Sequence, residues 1–507
     1  MINTLSLLPF LIFAPLIASL LCFLFKNKGS VILINITSHS VLIAMAVCLY
    51  IDQENIAQHV YMLASWSPPL GIGLTLDSAT VILVLLTSVL TFFYSVYSFI
   101  YFKNNPKQPL FWPIWWFLIA GIFALFVSND AFNVYVALEM IGLSAVALVA
   151  FDGTINALKA ALRYLFVGLV GSLFYLMGVA ILYRTYGTLD FNQLPTLIDT
   201  NPAATLALLF ITSGLVLKTA IAPLHFWLPD AHGSAPAPVS AMLSALVVKC
   251  SFYLIAMYWL HILPEHAPKA GYYFLGLLGV VSILWGSWRA FRVERLKHLI
   301  AYSTVAQLGY LFLLFPLAIQ QINTTALYGS TFTASMYLVL AHAFAKSALF
   351  LAAGDIIHQY GHDNLSKLSG LVKTSAVSTF TFAIAGASLI GLPPSGGFIA
   401  KWLLLSEALE AQMWLLVCVI LLGGLMASAY IFKVLNIAFS TPPLDTANKI
   451  VHKTVHKQSA MAWIALILAC CAMALGFNAQ SIMAPLMAPP SIVDTPFLPL
   501  STLGAYS

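Results

Sequence analysis

The sequence predicts an all-α, polytopic membrane protein with about fourteen transmembrane helices. Three observations lead there. Of the 507 residues, 61% are hydrophobic and only 8% are charged, whereas a soluble domain carries about 25% charged residues. Apolar runs of about 20 residues, the length needed to cross a bilayer, recur from end to end. The loop charges segregate to one side, as the positive-inside rule requires of a correct topology.

The expected spans cover residues 4–25, 31–50, 76–101, 110–128, 131–151, 161–183, 204–228, 236–260, 271–288, 298–317, 332–354, 375–408, 412–434 and 460–480. Placing the N-terminus outside puts Lys26, Lys28, Lys103, Lys107, Lys159, Arg163, Arg289, Arg292, Arg295, Lys297, Lys367, Lys373, Lys433, Lys449, Lys453 and Lys457 in inner loops. Only Arg184 and Lys269 fall in outer ones. Both termini are therefore expected outside. The first 29 residues lack a basic n-region and a small-residue cleavage site, so they read as a retained first span rather than a signal peptide.

Composition also limits the function classes. No polar stretch is long enough for a soluble catalytic domain. The net charge of +5 is spread over short loops and does not point to nucleic acid. Cys22, Cys48, Cys250, Cys418, Cys470 and Cys471 all lie in apolar stretches without a CxxC pair, a pattern of buried thiols rather than of a metal or iron–sulfur site. There is no GxxxxGK[ST] phosphate loop, dinucleotide glycine fingerprint or haem attachment motif. The expectation is a chain with no cofactor, no metal and no catalytic centre of its own.

Two spans are interrupted. The seventh reads LKTAIAPLHFWLPDAH, with Pro223 and Pro229; the twelfth reads ASLIGLPPSGGFIAKWLLL, with Pro393, Pro394, Gly396 and Gly397. Proline removes a backbone donor and clashes with the preceding turn. Such breaks persist in a bilayer only where protein or water satisfies the freed groups. Their spacing indicates two repeats, spans 4–8 and 9–13, the pattern of transporters with broken helices near the midplane. The chain then divides into helices 1–3 (1–105), repeat one (106–265), repeat two (266–435), and an inner loop, helix fourteen and outer tail (436–507).

Five ionisable groups sit where lipid should exclude them: Glu139, Lys218, Lys249, Lys346 and Lys401. Each charge at a helix centre costs about 2.5–3.5 kcal/mol on insertion scales, so intramembrane ionisable groups default to a functional role. Glu139 reads as the one carboxylate well inside a span. Lys218 adjoins the seventh-span break. A lysine beside a carboxylate holds its proton, and one separated from it in apolar surroundings releases it more readily. Glu139 and Lys218 could therefore switch; the plainer alternative is a static ion pair. His342 and Lys346, four apart, share a helical face, and histidine suits a proton relay. Lys401 follows the second break and could be the last store before an exit. His225, Asp230 and His232, around the seventh-span break, are candidates for gating, or only cap helix ends. Asp77 opens the third span and is a fourth candidate for entry or gating, or could simply mark the interface. His358 and His362 lack the Cys or carboxylate neighbours of a zinc site, and His452 and His456 lie in a basic inner loop.

These residues resemble the antiporter-like proton-channel subunits, a family that includes large Mrp-type cation/proton antiporter subunits and the membrane-arm subunits of respiratory complex I and membrane-bound hydrogenases. The stretches LKTAIAPLHFWLPDAHGSAPAPVSA and AHAFAKSALFLAAGDIIH carry the resemblance most specifically. It implies two inverted five-helix repeats, each with a half-channel, joined by a midplane polar axis. Glu139 and Lys218 would form the coupling pair, Lys249 and His342 the centre, with Lys346 joining it, and Lys401 the outlet. The implied partners are other membrane subunits, lipid, protons and sodium, in the plasma membrane of a prokaryote. Lys401 in place of a glutamate and the proline-rich tail make the D-type Mrp protein the best match. A complex I-like or hydrogenase assembly follows, then a conducting anchor that energises a bound peripheral enzyme, and last a scaffold with idle lysines. The tenth span, LIAYSTVAQLGYLFLLF, departs from the pattern: it has no carboxylate to match Glu139.

Overall fold

The structure, a computed structural model, describes residues 4–56, 59–66, 71–197, 201–319, 329–441 and 459–487. The basic loop holding Lys449, His452, Lys453, His456 and Lys457 and the proline-rich tail from residue 488 lie outside the described residues.

Among the described residues, thirteen helices are long and apolar enough to cross a membrane. In chain order the helices are α1 (Leu7–Leu24), α2 (Lys28–Ile51), α3 (Ser78–Tyr101), α4 (Gln108–Val127), α5 (Ala131–Val149), α6 (Ile155–Tyr186), α7 (Pro202–Thr219), α8 (Leu228–Ser234), α9 (Ala237–Ile262), α10 (Lys269–Arg292), α11 (Leu296–Ala318), α12 (Ser330–Tyr360), α13 (Ala376–Ile390), α14 (Gly396–Glu410), α15 (Trp414–Phe439), α16 (Ala460–Phe477) and α17 (Ala479–Met487). The expected twelfth span is split into α13 and α14, each too short to cross alone. The expected seventh span is broken too: α7 ends at Thr219 and the chain turns before α8 begins at Leu228. The remaining expected spans each coincide with one long helix.

The helix ends follow local chemistry. Asn27, Asp77, Asp130, Thr154, Asn201 and Ser395 each accept a backbone N–H at a helix start, satisfying donors that have no intrahelical partner. Asp77 does so in a reciprocal box with Thr80. Gly187 and Gly361 end α6 and α12 with φ of 70° and 79°, the left-handed cap glycine adopts without strain. These caps lie past the apolar stretch, so α6 and α12 run several residues beyond the expected spans. One element has no counterpart in the expected spans, a two-stranded antiparallel hairpin, β1 (Tyr61–Met62) with β2 (Gly73–Leu74), paired Tyr61 to Leu74 and Met62 to Gly73.

Burial sorts the helices. Over their most apolar stretches α9 is wholly buried and α11 and α12 nearly so, while α1, α2, α6 and α15 bury about a third of theirs. A helix apolar all round belongs in a core, and one lined with exposed Leu and Phe faces lipid. Lys249, His342 and Lys346 thus sit on two of the most enclosed helices, and all three are buried.

Candidate functional site

The first centre forms at the break after α7. Ala220 takes a left-handed backbone (φ 58°) and ends the helix. The freed groups find new partners: the Trp227 indole donates to the Leu217 carbonyl (3.1 Å), and the Ala222 N–H donates to Ser282 Oγ on α10 (2.8 Å). Lys218, two residues before the break, points at Glu139 of α5, with Nζ 3.7 Å from Oε1. The Ser172 hydroxyl of α6 donates to the same carboxylate. Close crossing of α6 and α7 brings these groups together. A β-carbon on Gly214 would stand 2.3 Å from the Gly171 carbonyl, and one on Gly171 only 2.9 Å from the Gly214 carbonyl. Beside the pair lies a cavity of about 30 Å³, walled partly by Glu139, Tyr164, Lys218, Trp227 and Cys250. That is room for a water molecule.

The second centre joins α9, α11 and α12. Leu243–Val247 forms a π-helical turn, which releases backbone groups from the regular ladder. Lys249 donates to the Ser244 carbonyl of that turn, and the Ser244 hydroxyl pairs with Thr304 of α11 at 2.8 Å. Lys346, fully buried, donates to the Ile300 carbonyl (2.8 Å) and to the Ser303 hydroxyl. His342 is buried, and neither ring nitrogen has a hydrogen-bond partner among the described residues. It lies within Coulomb range of Lys249, Lys346 and Lys401.

The third centre is the break between α13 and α14. Gly391 turns the chain with φ 91°. Lys401 of α14 reaches back to the open end of α13, donating to the carbonyls of Leu389 (2.7 Å) and Ile390 (3.3 Å), with its ammonium 4.4 Å from the centre of the Tyr310 ring. Gln307 donates to the same Leu389 carbonyl at 3.2 Å. Backbone carbonyls, an amide and an aromatic face stand where a carboxylate serves Lys218.

The four gating candidates separate. His232 is fully buried, with Nδ1 3.2 Å from the Ser240 carbonyl and its ring stacked on Phe350. His225 lies in the break, edge-on to Tyr302. Asp230 sits at the basic end, 2.5 Å from Arg163 and 3.7 Å from His298. The His298 ring, with Arg163 beside it, holds that carboxyl below its usual value. Asp77 caps α3, with the Tyr253 hydroxyl 3.4 Å away, and among the described residues it pairs with none of the buried lysines.

Four buried charges escaped the sequence reading: Asp190 and Asp363 in connecting segments, and Lys297 and Asp355 on spanning helices. Lys297, assigned there to an inner loop, is 5% exposed and donates to the Ala235 carbonyl. The helix begins at Leu296, so the lysine lies in its first turn rather than in a loop. Glu139 is not alone as an enclosed carboxylate either: Asp355 is fully buried on α12. Residue 355 lay one position past the expected span end, and only the extra helical turns reveal its burial.

Enclosed lysines, one carboxylate–lysine pair and two broken helices define a polytopic protein that carries titratable groups through the bilayer core. The chain belongs to the NADH:quinone oxidoreductase/Mrp antiporter transmembrane family, whose pattern matches residues 128–427. It is 36% identical to NADH-quinone oxidoreductase subunit N of Desulforudis audaxviator, over 75% of either chain. It is 27% identical to the D component of the Na(+)/H(+) antiporter of Alkalihalophilus pseudofirmus, over 86% of this chain and 87% of that one. In fold it resembles a chain of the Mrp complex from Dietzia sp. DQ12-45-1b, with a TM-score of 0.85 at 24% identity over 97% and 98% of the two chains. A chain of respiratory complex I from Thermus thermophilus gives 0.73 at 22% identity over 96% and 100%.

Proposed function

We propose that this chain is the proton-translocating subunit of a multi-subunit membrane complex, of the Mrp-type Na+/H+ antiporter class. The observation that carries this reading is the Glu139–Lys218 pair, 3.7 Å apart beside a helix break and a cavity large enough for water. While the pair is closed, Lys218 keeps its proton. When Glu139 and Lys218 part, Lys218 stands in an apolar setting that favours release. Lys249, His342 and Lys346 pass the proton across the midplane, and Lys401 hands it out at the second break. His225, His232 and Asp230 gate the basic face. Residues 106–265 and 266–435 form the two half-channels, with both termini on the outer side.

Membership of the family supports this reading, as does the likeness in fold to a chain of a solved Mrp complex. A second reading, a proton-pumping subunit of a redox complex, is favoured by the 36% identity to an NADH-quinone oxidoreductase subunit N. In both, other membrane subunits are the partners; sodium as counter-ion belongs to the first alone. The complex purified with this chain, reconstituted into vesicles, should move protons under a potassium diffusion potential. Glu139→Gln and Lys218→Ala should each abolish that movement with the complex intact. Wild-type rates in both would dismiss the reading. A sodium pulse that drives proton movement selects the antiporter, and its failure selects the redox complex.

A further inference from the structure

The row of lysines needs an inlet from the basic face, and the α3–α12 seam supplies one away from the α7 break. A cavity of about 910 Å³ at the basic end is lined in part by Tyr101, Lys103, Lys107, Asp152, Asp355 and His358. Asp355 closes its inner side. Its Oδ2 accepts from Ser378 Oγ (2.6 Å) and Gln359 Nε2 (2.8 Å). Its Oδ1 is buried without a hydrogen-bond partner, and among the described residues no cation pairs with it. A buried carboxylate left this way is costly unless it carries a proton or meets water.

From Asp355 a file of tyrosine hydroxyls leads inward. Tyr94, Tyr97 and Tyr101 lie three and four apart on α3, hence on one face, and α12 answers with Ser347, Leu351, Gly354 and His358. Tyr101 stacks on Tyr97 at 5.9 Å and lies 6.1 Å from the His358 ring. The Tyr97 hydroxyl donates to the Leu351 carbonyl at 2.9 Å. A β-carbon on Gly354 would stand 2.6 Å from that hydroxyl, so glycine is what lets it approach α12 beside Asp355. The Tyr94 hydroxyl pairs with Ser347, one residue beyond Lys346 on the turn that follows His342.

We propose that Asp355 takes protons from the basic-face cavity and passes them along Tyr97, Tyr94 and Ser347 to the His342–Lys346 turn, with water completing the steps between hydroxyls. The proton is the sole species moved, so each carrier returns to its starting state after one transfer. The inlet rests on the proton-conducting reading above and adds its source on the basic side. The alternative is structural: Asp355 could merely tie α12 to α13 through Ser378.

The test uses the purified complex in vesicles, with proton flux under a potassium diffusion potential read by a pH-sensitive dye. Asp355→Asn keeps the side-chain shape and the acceptor for Ser378, and Tyr94→Phe and Tyr97→Phe remove only hydroxyls. Each should cut flux at least tenfold at unchanged complex yield and subunit composition. Asp355→Glu, which restores a carboxyl, should return at least half. Wild-type flux in Asp355→Asn and Tyr94→Phe, alongside loss in Glu139→Gln, would overturn the inlet and leave the function standing. Wild-type flux in Glu139→Gln as well would overturn both.

Discussion

Lys401 rests on Tyr310, its ammonium 4.4 Å from the ring centre, and no carboxylate is paired with it among the described residues. Its other partners are two carbonyls at the open end of α13. A cation over an aromatic face gains about 0.5–2 kcal/mol, more as water is excluded. That is enough to hold the lysine without fixing its proton as a carboxylate would. The two breaks are therefore unlike: one has an ion pair, the other a carbonyl and aromatic seat.

This contrast sets the first expectation. Tyr310→Phe preserves the ring face, so proton flux in reconstituted vesicles should stay within about a factor of two of wild type, the change expected for less than about 1 kcal/mol. Tyr310→Leu removes the face and should lower flux severalfold. Equal flux in the two variants would show that the ring does not seat Lys401.

Ser172 holds one oxygen of Glu139 through its hydroxyl. Ser172→Ala removes that donor and leaves the Lys218 contact. Flux should fall by roughly fivefold, in line with about 1 kcal/mol for one hydrogen bond, and the fall should vanish in a Glu139→Gln background. An equal fall in both backgrounds would place the effect of Ser172 on packing alone.

The α6–α7 crossing depends on two glycines. A β-carbon on Gly214 would meet the Gly171 carbonyl at 2.3 Å and the Tyr175 nitrogen at 2.8 Å, both backbone atoms that cannot step aside. Gly214→Val should lower the thermal midpoint of the purified complex and the amount of chain assembled, since overpacking costs about 1–3 kcal/mol. Gly142→Ala, where a β-carbon meets nothing within 4 Å, should leave both unchanged.

Much of this was legible in the residues. Apolar runs of spanning length placed the helices, because lipid demands unbroken backbone pairing over that distance. The prolines and glycines located the breaks, and intramembrane charge located Glu139 and the four lysines. What remained hidden depends on contacts between helices. The π-helical turn that receives Lys249 has no sequence signature. Lys297 read as a loop cation until the packing of α11 enclosed it. Asp355 read as lying past a helix end because apolarity fades before the helix does; Gly361, in the left-handed conformation that caps a helix, marks the true end. Asp77 caps α3 in a box with Thr80, a contact its position at the start of the span did not reveal.

The central claim is that the buried groups act as one connected row. Lys249 stands at its middle, 2% exposed and bonded only to the Ser244 carbonyl of its own helix among the described residues. Lys249→Met keeps the length and apolar stem of the side chain but removes its proton, while both broken helices and the Glu139–Lys218 pair stay in place. Proton flux through vesicles containing the assembled Lys249→Met complex should drop to the level of empty vesicles. Flux at the wild-type rate in that variant would contradict a continuous row.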